Sequence, residues 1–306
     1  MVVSETADTN PTTGPGGDGT DTPPTRLLVL GMAHPDGSIV GTELFSVLEP
    51  CGLTVDQVRS QMRRLVAEGL FEREGEGREA VFRATESGQA ALAATMSRHT
   101  LAYAHDAAGT GWDRMWRLVM FNIPESRRAD RDAFRDWLLA LGAAPLQGGV
   151  YVSPHPWDRE VRDEIARLDI ADYVTLATTD DLVLTGVSNA REIAASLWPL
   201  DEIAAKYTDF VASYSHIPDL LESMRRDGRR IAEADWLPGV LLIAVRFNQC
   251  FEIDPLLPPE LVPKPWPGRE ARQLLASCRK LGVMTRQDRS GPALFRVFDD
   301  AIAALP

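Results

Sequence analysis

Residues 54–85 read TVDQVRSQMRRLVAEGLFEREGEGREAVFRAT, and the periodicity of this stretch decides how the chain is read. Thr54 stands where a helix would start, and its hydroxyl can accept one of the orphan N–H groups of the first turn. Val55, Val58, Met62, Leu65 and Val66 follow at three- and four-residue spacing, which places them on one stripe facing a core. At about 100° per residue, Asp56, Gln57, Ser60, Arg63, Arg64 and Ala67 fall on the opposite face. Gly69 suits a left-handed helix end. The run Leu70–Glu74 then turns through Gly75-Glu76-Gly77-Arg78 into Glu79–Ala84, a β-hairpin with glycines where a tight turn needs positive φ.

Upstream, Thr25–Ala33 and Gly41–Leu48 read as two further helices, separated by the Pro35-Asp36-Gly37 turn, and a Pro50-Cys51-Gly52 break leads into Thr54. Helix, helix, outward polar helix, hairpin is the order of a winged helix-turn-helix. The outer face suits a DNA major groove: Arg can bond guanine O6 and N7 in a bidentate way, Gln can do the same with adenine, and Ser adapts to either. A solvated helix face is the competing reading for that helix taken alone. The helices before it and the hairpin behind it favour DNA.

Net charge opposes a nonspecific polyanion binder. The chain carries −12 at neutral pH with a pI near 4.9, and residues 25–98 hold slightly more acidic than basic side chains. Phosphate contact needs Lys and Arg, so binding is expected to rest on local basic patches, base contacts and dimerisation. The apolar fraction of 44% and charged fraction of 25% are those of a soluble globular protein, and 306 residues suggest two or three domains. Cys51, Cys250 and Cys278 are widely spaced, which suits a reducing cytoplasm and supports neither a disulfide framework nor a zinc cluster. The five histidines lack metal-binding spacing. No apolar run approaches the length of a membrane span. Residues 1–24, Thr-, Pro- and Gly-rich without Lys or Arg, fit a disordered tail rather than a targeting signal.

After the hairpin, Thr85 to about His105 reads as an alanine-rich connecting helix, with a boundary marked by Gly109–Gly111. Strand-like Trp116–Ile123, helical Arg127–Leu141, a strand over Leu146–Val152, helical Trp157–Leu168 and strand-like Tyr173–Thr178 follow, with Leu182–Leu184 a possible further strand. That order fits a ferredoxin-like α/β sandwich. Beyond it, residues 190–198, 200–214, 218–226 and 235–251 are helical, Asp254–Gly268 is too proline-rich for a helix interior, and Arg269–Lys280 is a basic amphipathic helix. The expected fold class is therefore α+β multidomain. It comprises a winged helix-turn-helix (25–98), a ferredoxin-like α/β sandwich middle domain (99–189) and an α-helical C-terminal domain for dimerisation and effector binding (190–306).

Four segments carry a resemblance to a known family: VRSQMRRLVAEGLFE with its hairpin, WRLVMFNIPESRRADRDAFRDWLLALG followed by GGVYVSP, WPLDEIAAKYTDF and DPLLPPELVPKPWPG. Together they resemble the PaaX family of bacterial transcriptional repressors over essentially everything from Thr25 onward, and the last segment is the most distinctive. The resemblance implies a homodimer that binds near-palindromic double-stranded operator DNA and is released by an aryl-acetyl-CoA thioester such as phenylacetyl-CoA. It places DNA contact on Thr54, Gln57, Ser60, Arg63 and Arg64 of the helix and on Arg73, Arg78 and Arg83 of the hairpin. Effector contact falls to Arg246, Phe247, Trp266, Arg269 and Arg272. Before the DPLLP motif the family carries a His-acidic-aromatic-basic-basic run. Here Val245-Arg246-Phe247-Asn248-Gln249 keeps only the aromatic, which points to a different acyl-CoA or to none.

Trp198, Trp236, Trp266, Pro258, Pro259 and Pro267 can line an acyl pocket or simply pack helices together. Arg269, Arg272, Arg279 and Lys280 can meet CoA phosphates or form a solvated basic face. The middle segment also resembles the small CRISPR-associated endoribonucleases, which end their first strand with a metal-holding aspartate. Asn122 stands at that position, and an amide lacks the charge that a hard divalent cation wants. No GxSxG elbow, P-loop or GxGxxG motif appears, so neither an enzyme nor a cofactor is expected. Arg127, Arg128, Arg131 and Arg135 beside Asp130 and Asp132 fit either phosphate binding or charge pairing along a solvated helix. The alternative to a DNA-binding regulator is a protein-interaction adaptor built on the same winged helix.

Overall fold

The computed structural model describes residues 25–108, 111–287 and 291–296; the expected N-terminal tail, 1–24, lies outside them. The N-terminal module contains α1 (Thr25–Gly31), β1 (Ser38–Val40), α2 (Gly41–Ser46), α3 (Val55–Ala67), β2 (Phe71–Glu74) and β3 (Val81–Ala84). Its antiparallel sheet has the order β1-β3-β2. β1 is missing from the sequence reading because three residues are too few for a period to register. It is fixed by pairing, with Ser38, Ile39 and Val40 opposite Arg83, Phe82 and Val81.

On α3, Val58, Met62 and Leu65 pack into a core with Leu28, Val29, Phe71 and Phe82. Val66, expected on the same stripe, is exposed. The three buried positions span an arc of about 60°, and Val66 lies about 40° past its edge. Thr54 caps the helix as expected, its hydroxyl accepting from the Gln57 N–H.

A single long helix, α4 (Glu86–Ala108), leads out of this module; at 23 residues it is roughly 35 Å long. Next come β4 (Trp116–Phe121), α5 (Arg128–Ala140), β5 (Ala144–Gln147), β6 (Val150–Ser153), α6 (Asp158–Leu168) and β7 (Val174–Thr179). Their antiparallel sheet is ordered β5-β6-β4-β7. The expected single strand over 146–152 is a hairpin instead. Gly148 and Gly149 sit at its tip, and Ala144 faces Val152 across it. The element order is thus β-α-β-β-α-β, with the second and third strands adjacent in sequence. Leu182–Leu184 contributes only an isolated bridge between Leu184 and Val187.

β-pleat alternation gives the sheet two buried faces. Val119, Phe121 and Tyr151 pack against Phe134 and Leu138 of α5 and Val161 and Ile165 of α6. Trp116, Ala144 and Val152 face the C-terminal helices. Those helices are α7 (Ala190–Leu197), α8 (Leu200–Tyr214), α9 (Ile217–Arg226), α10 (Glu233–Phe251) and α11 (Pro267–Thr285). The proline-rich stretch between α10 and α11 is irregular.

α10 is shared between two cores. Trp236, Leu237 and Leu241 join that of the N-terminal module, while Phe247, Cys250 and Phe251 pack with α8 and α11. No described helix is long and apolar enough to cross a membrane.

Candidate nucleic-acid interface

The polar side of α3 is open. Gln57, Arg63 and Arg64 are exposed and Ser60 is half-buried. The start of the helix is locked by a reciprocal cap. The Gln57 carbonyl accepts from the Thr54 backbone N–H at 2.8 Å and from its hydroxyl at 2.9 Å. The Thr54 hydroxyl in turn accepts from the Gln57 backbone at 3.2 Å. This arrangement bears on readout. A bidentate adenine contact needs both ends of the Gln amide, and the cap already occupies the oxygen.

The hairpin arginines diverge. Arg73 lies opposite Phe82, and Arg83 lies opposite Glu72. Cross-strand partners share a face, so Arg73 sits on the face of Phe71 and Phe82, whereas Arg83 sits on the outer face with Glu72 and Glu74. Arg83 is bound there by Glu74 at 2.9 Å. Arg78 is exposed on the 3₁₀ turn Gly77–Glu79 at the hairpin tip. The structure therefore gathers Arg63, Arg64 and Ser60 on one surface and splits Arg73 from Arg83.

The five expected effector residues are not brought together. Phe247 is buried in an aromatic cluster with Tyr207, Phe210 and Phe251. Trp266 is half-buried beside Tyr207, while Arg246 and Arg269 are exposed. Arg272 is buried, with Nε and Nη2 on Asp106 of α4 at 2.6 and 2.8 Å and Nη1 3.8 Å from Asp254.

Asp254 opens the distinctive DPLLP segment and centres a network between the sheet and the C-terminal helices. It accepts from Tyr207 Oη and from the Leu256 backbone, both at 2.8 Å. Burial pushes its carboxyl above the ordinary range against the pull of Arg272. Arg98 of α4 donates to the carbonyls of Ala140, Phe251 and Asp254 at 2.9–3.3 Å. His155 Nε2 bonds the Pro255 carbonyl at 2.9 Å, and burial drives that imidazole down to about 4. Trp198 Nε1 donates to the Gly142 carbonyl at 3.1 Å. At Gly142 a side chain would meet the Pro255 oxygen at 2.7 Å, so only glycine fits. The DPLLP segment is structural mortar, and Arg272 is part of it.

Between the N-terminal module and the C-terminal helices lies a cavity of about 960 Å³. Its walls come from α1, α4, α10 and α11; of the candidate residues Phe247, Trp236 and Arg279 line it, together with Val245, Asn248 and Gln249 of the run before the DPLLP motif. The sequence reading missed the α4 wall. Leu92, Met96, His99 and Tyr103 line the cavity at 4-3-4 spacing, a one-sided stripe of large side chains on an otherwise alanine-rich helix.

In the middle segment, Asn122 directly follows β4, with its backbone N–H on the Tyr173 carbonyl at 3.0 Å. The arginines around α5 are in charge pairs: Arg127 with Asp130, Arg128 and Arg131 with Glu125, and Arg135 with Asp132 and Asp136.

Comparison with known proteins places two family matches on the chain. Residues 109–194 match the PaaX protein central Cas2-like domain, and residues 198–286 match the PaaX-like protein C-terminal domain. The transcriptional repressor PaaX of Escherichia coli K12 is 24% identical over 245 residues, covering 79% of this chain and 74% of that protein. A solved structure, the uncharacterized protein Rv0674 from Mycobacterium tuberculosis, aligns at 20% identity with a TM-score of 0.49, covering 81% of this chain and 89% of that one.

Proposed function

This chain belongs to the PaaX family of transcription regulators, and from that premise we propose that it is a sequence-specific DNA-binding repressor working as a homodimer. Residues 25–98 are then a winged helix-turn-helix, 99–189 a ferredoxin-like coupling domain, and 190–306 the helical domain for dimerisation and effector response. The β-α-β-β-α-β order and the β5-β6-β4-β7 sheet support the ferredoxin-like reading.

The observation that carries the proposal is the uncovered polar face of α3, with Arg63 and Arg64 exposed beside Ser60. Arg63 and Arg64 supply bidentate base or phosphate contacts in the major groove, and Arg78 at the hairpin tip reaches the neighbouring backbone. Glu72 and Glu74 on the hairpin strand, the latter paired with Arg83, oppose phosphate contact along its outer face. Two such helices enter successive major grooves of a near-palindromic operator. An acyl-CoA-type effector releases the DNA by favouring a different arrangement of the modules.

The test is a mobility-shift titration of the full chain on the DNA upstream of its own coding region, against a shuffled duplex of equal length. Specific retention is expected, and Arg64→Ala should weaken it by about 1–3 kcal/mol. Equal affinity for both duplexes would remove DNA recognition and leave the adaptor reading.

A further inference from the structure

Well-packed protein interiors leave few voids larger than a water molecule, whereas small-molecule pockets occupy about 300–1,000 Å³. The 960 Å³ cavity is at the top of the second range. Its walls are core-type side chains drawn from both sides of a joint. Leu27 and Leu30 come from α1 in the N-terminal module, Leu92 and Met96 from α4, and Ile243 and Leu275 from α10 and α11. Exposed Arg26, Thr95, Thr100 and Gln249 lie at its rim, so the cavity opens to solvent on a polar edge.

We propose that this cavity is the ligand site of the protein, and that it takes an uncharged apolar acyl or aryl group of a small molecule whose polar remainder stays at the rim. This deepens the proposed function and rests on it for the ligand's regulatory role. The polar groups inside the walls suit a neutral occupant. Burial and the nearby Arg98 and Arg272 drive His99 down to about 4, so it stands neutral and stacks on Phe251 with centroids 4.2 Å apart. Burial drives the Tyr103 phenol up to about 12. Arg279, which also lines the cavity, is committed to the Leu294 and Phe295 carbonyls at 3.0 and 2.7 Å.

Those two carbonyls connect the site to the DNA-contacting module. Phe295 lines the cavity, and its backbone N–H donates to the Gly31 carbonyl at 2.5 Å. A Cβ at Gly31 would meet the Phe295 ring at 2.7 Å. One residue on, Arg296 pairs with Glu43 of α2 at 2.6 Å. An occupant therefore touches α1 directly and touches the segment that straps α1 and α2 to the remaining chain. A ligand that fits one setting of this joint better than another shifts DNA affinity by that difference.

The experiment uses the full chain and the neutral fluorescent probe N-phenyl-1-naphthylamine, followed by competition with a series of acyl-CoA thioesters. Saturable binding near one probe per chain is expected. Ala244→Trp on α10 and Leu92→Trp on α4 each fill the cavity from a different wall and should weaken the probe at least tenfold. Thermal unfolding identifies a variant that fails to fold, and the other then decides. No saturable binding to the wild type, or unchanged affinity in the folded variants, overturns the site. Probe binding lost in the variants from a protein that shows no DNA preference would instead keep the site and overturn the regulator.

Discussion

The seam that joins α4 and the four-stranded sheet to the C-terminal helices is laced with charge-assisted hydrogen bonds, whereas the seam between the N-terminal module and α4, α10 and α11 is mostly apolar contact around a cavity, strapped at one edge by the Arg296–Glu43 pair. At the first, Arg98, Asp106, Asp254, Arg272 and Tyr207 are buried or half-buried and fix one another's geometry. At the second, Leu27, Leu30, Trp236, Val240 and Ala244 meet by apolar contact, and directed bonds are confined to the strap at Phe295 and Arg296. Polar groups held out of water resist sliding, because any displacement leaves one unpaired at a cost of several kcal/mol. Apolar surfaces have no such register. The difference divides the molecule into a stiff body, sheet plus C-terminal helices, and a module whose setting against it can be biased.

The stiff seam offers the largest effect. Asp106→Ala removes the bidentate acceptor of Arg272 and strands its guanidinium, whose Nη1 is already without a hydrogen-bond partner among the described atoms. Breaking a buried pair from one side costs about 3–5 kcal/mol, so the melting temperature should fall by several degrees or more. A loss under about 1 kcal/mol in denaturant unfolding would show that the network does not hold the seam.

Acid should attack both seams through buried histidines. His155 in the stiff seam and His99 at the cavity are each driven down to about 4 from an ordinary 6.5, first by burial and then by neighbouring charge that includes Arg98. The unfolded chain therefore takes up protons that the folded chain refuses between those values. The contribution is fully present above pH 6.5 and is lost as pH falls toward 4, reaching about 3 kcal/mol for each group at the lower end. Unfolding followed at a series of pH values should show this slope, and His155→Gln should flatten part of it. A stability profile level from pH 7 to 4.5 would contradict the buried, neutral state of both rings.

The two seams were unequally legible in the sequence. Local periodicity announced α3, α5, α6 and α8 because each carries an apolar stripe long enough to count. The stiff seam left a trace as well, since a segment as unusual as DPLLPPELVPKPWPG invites a specific explanation. Sequence shows Arg272, just beyond that segment, as a cation and does not show the Asp106 that pairs with it 166 positions earlier. The hairpin of β5 and β6 was merged into one strand because Gly148-Gly149 sits between two apolar runs too short to separate. The cavity was illegible for a different reason. Space is defined by four elements at once, and the one local sign, the Leu92-Met96-His99-Tyr103 stripe, looks the same whether it faces a core or a void.

The loose seam predicts a smaller and more local loss. Phe295→Ala removes a buried ring from the strap, and burying such a side chain is worth about 1.5–3 kcal/mol. The deficit should appear as faster hydrogen exchange and proteolysis in α1 and α2, with α5, α6 and α8 unchanged. Equal acceleration throughout would mean that the module and the body unfold as a single unit and that the contrast between the seams has no dynamic consequence.

The smallest effect distinguishes two uses of one side chain. Thr54→Ala breaks the cap on α3 and should cost about 1 kcal/mol of stability, while Thr54→Ser keeps the cap and most of the stability. Thr54→Ala also releases the Gln57 oxygen from the Thr54 hydroxyl, leaving only the backbone N–H on it. If Gln57 reads an adenine through both ends of its amide, the cap competes with the base. Operator affinity per folded molecule should then hold or rise in Thr54→Ala and fall in Gln57→Ala. If Gln57 serves only the helix start, both variants lose affinity together with stability, and Thr54→Ser restores both. Anisotropy titrations corrected for the folded fraction separate these patterns. The second pattern would confine base reading on α3 to Ser60, Arg63 and Arg64.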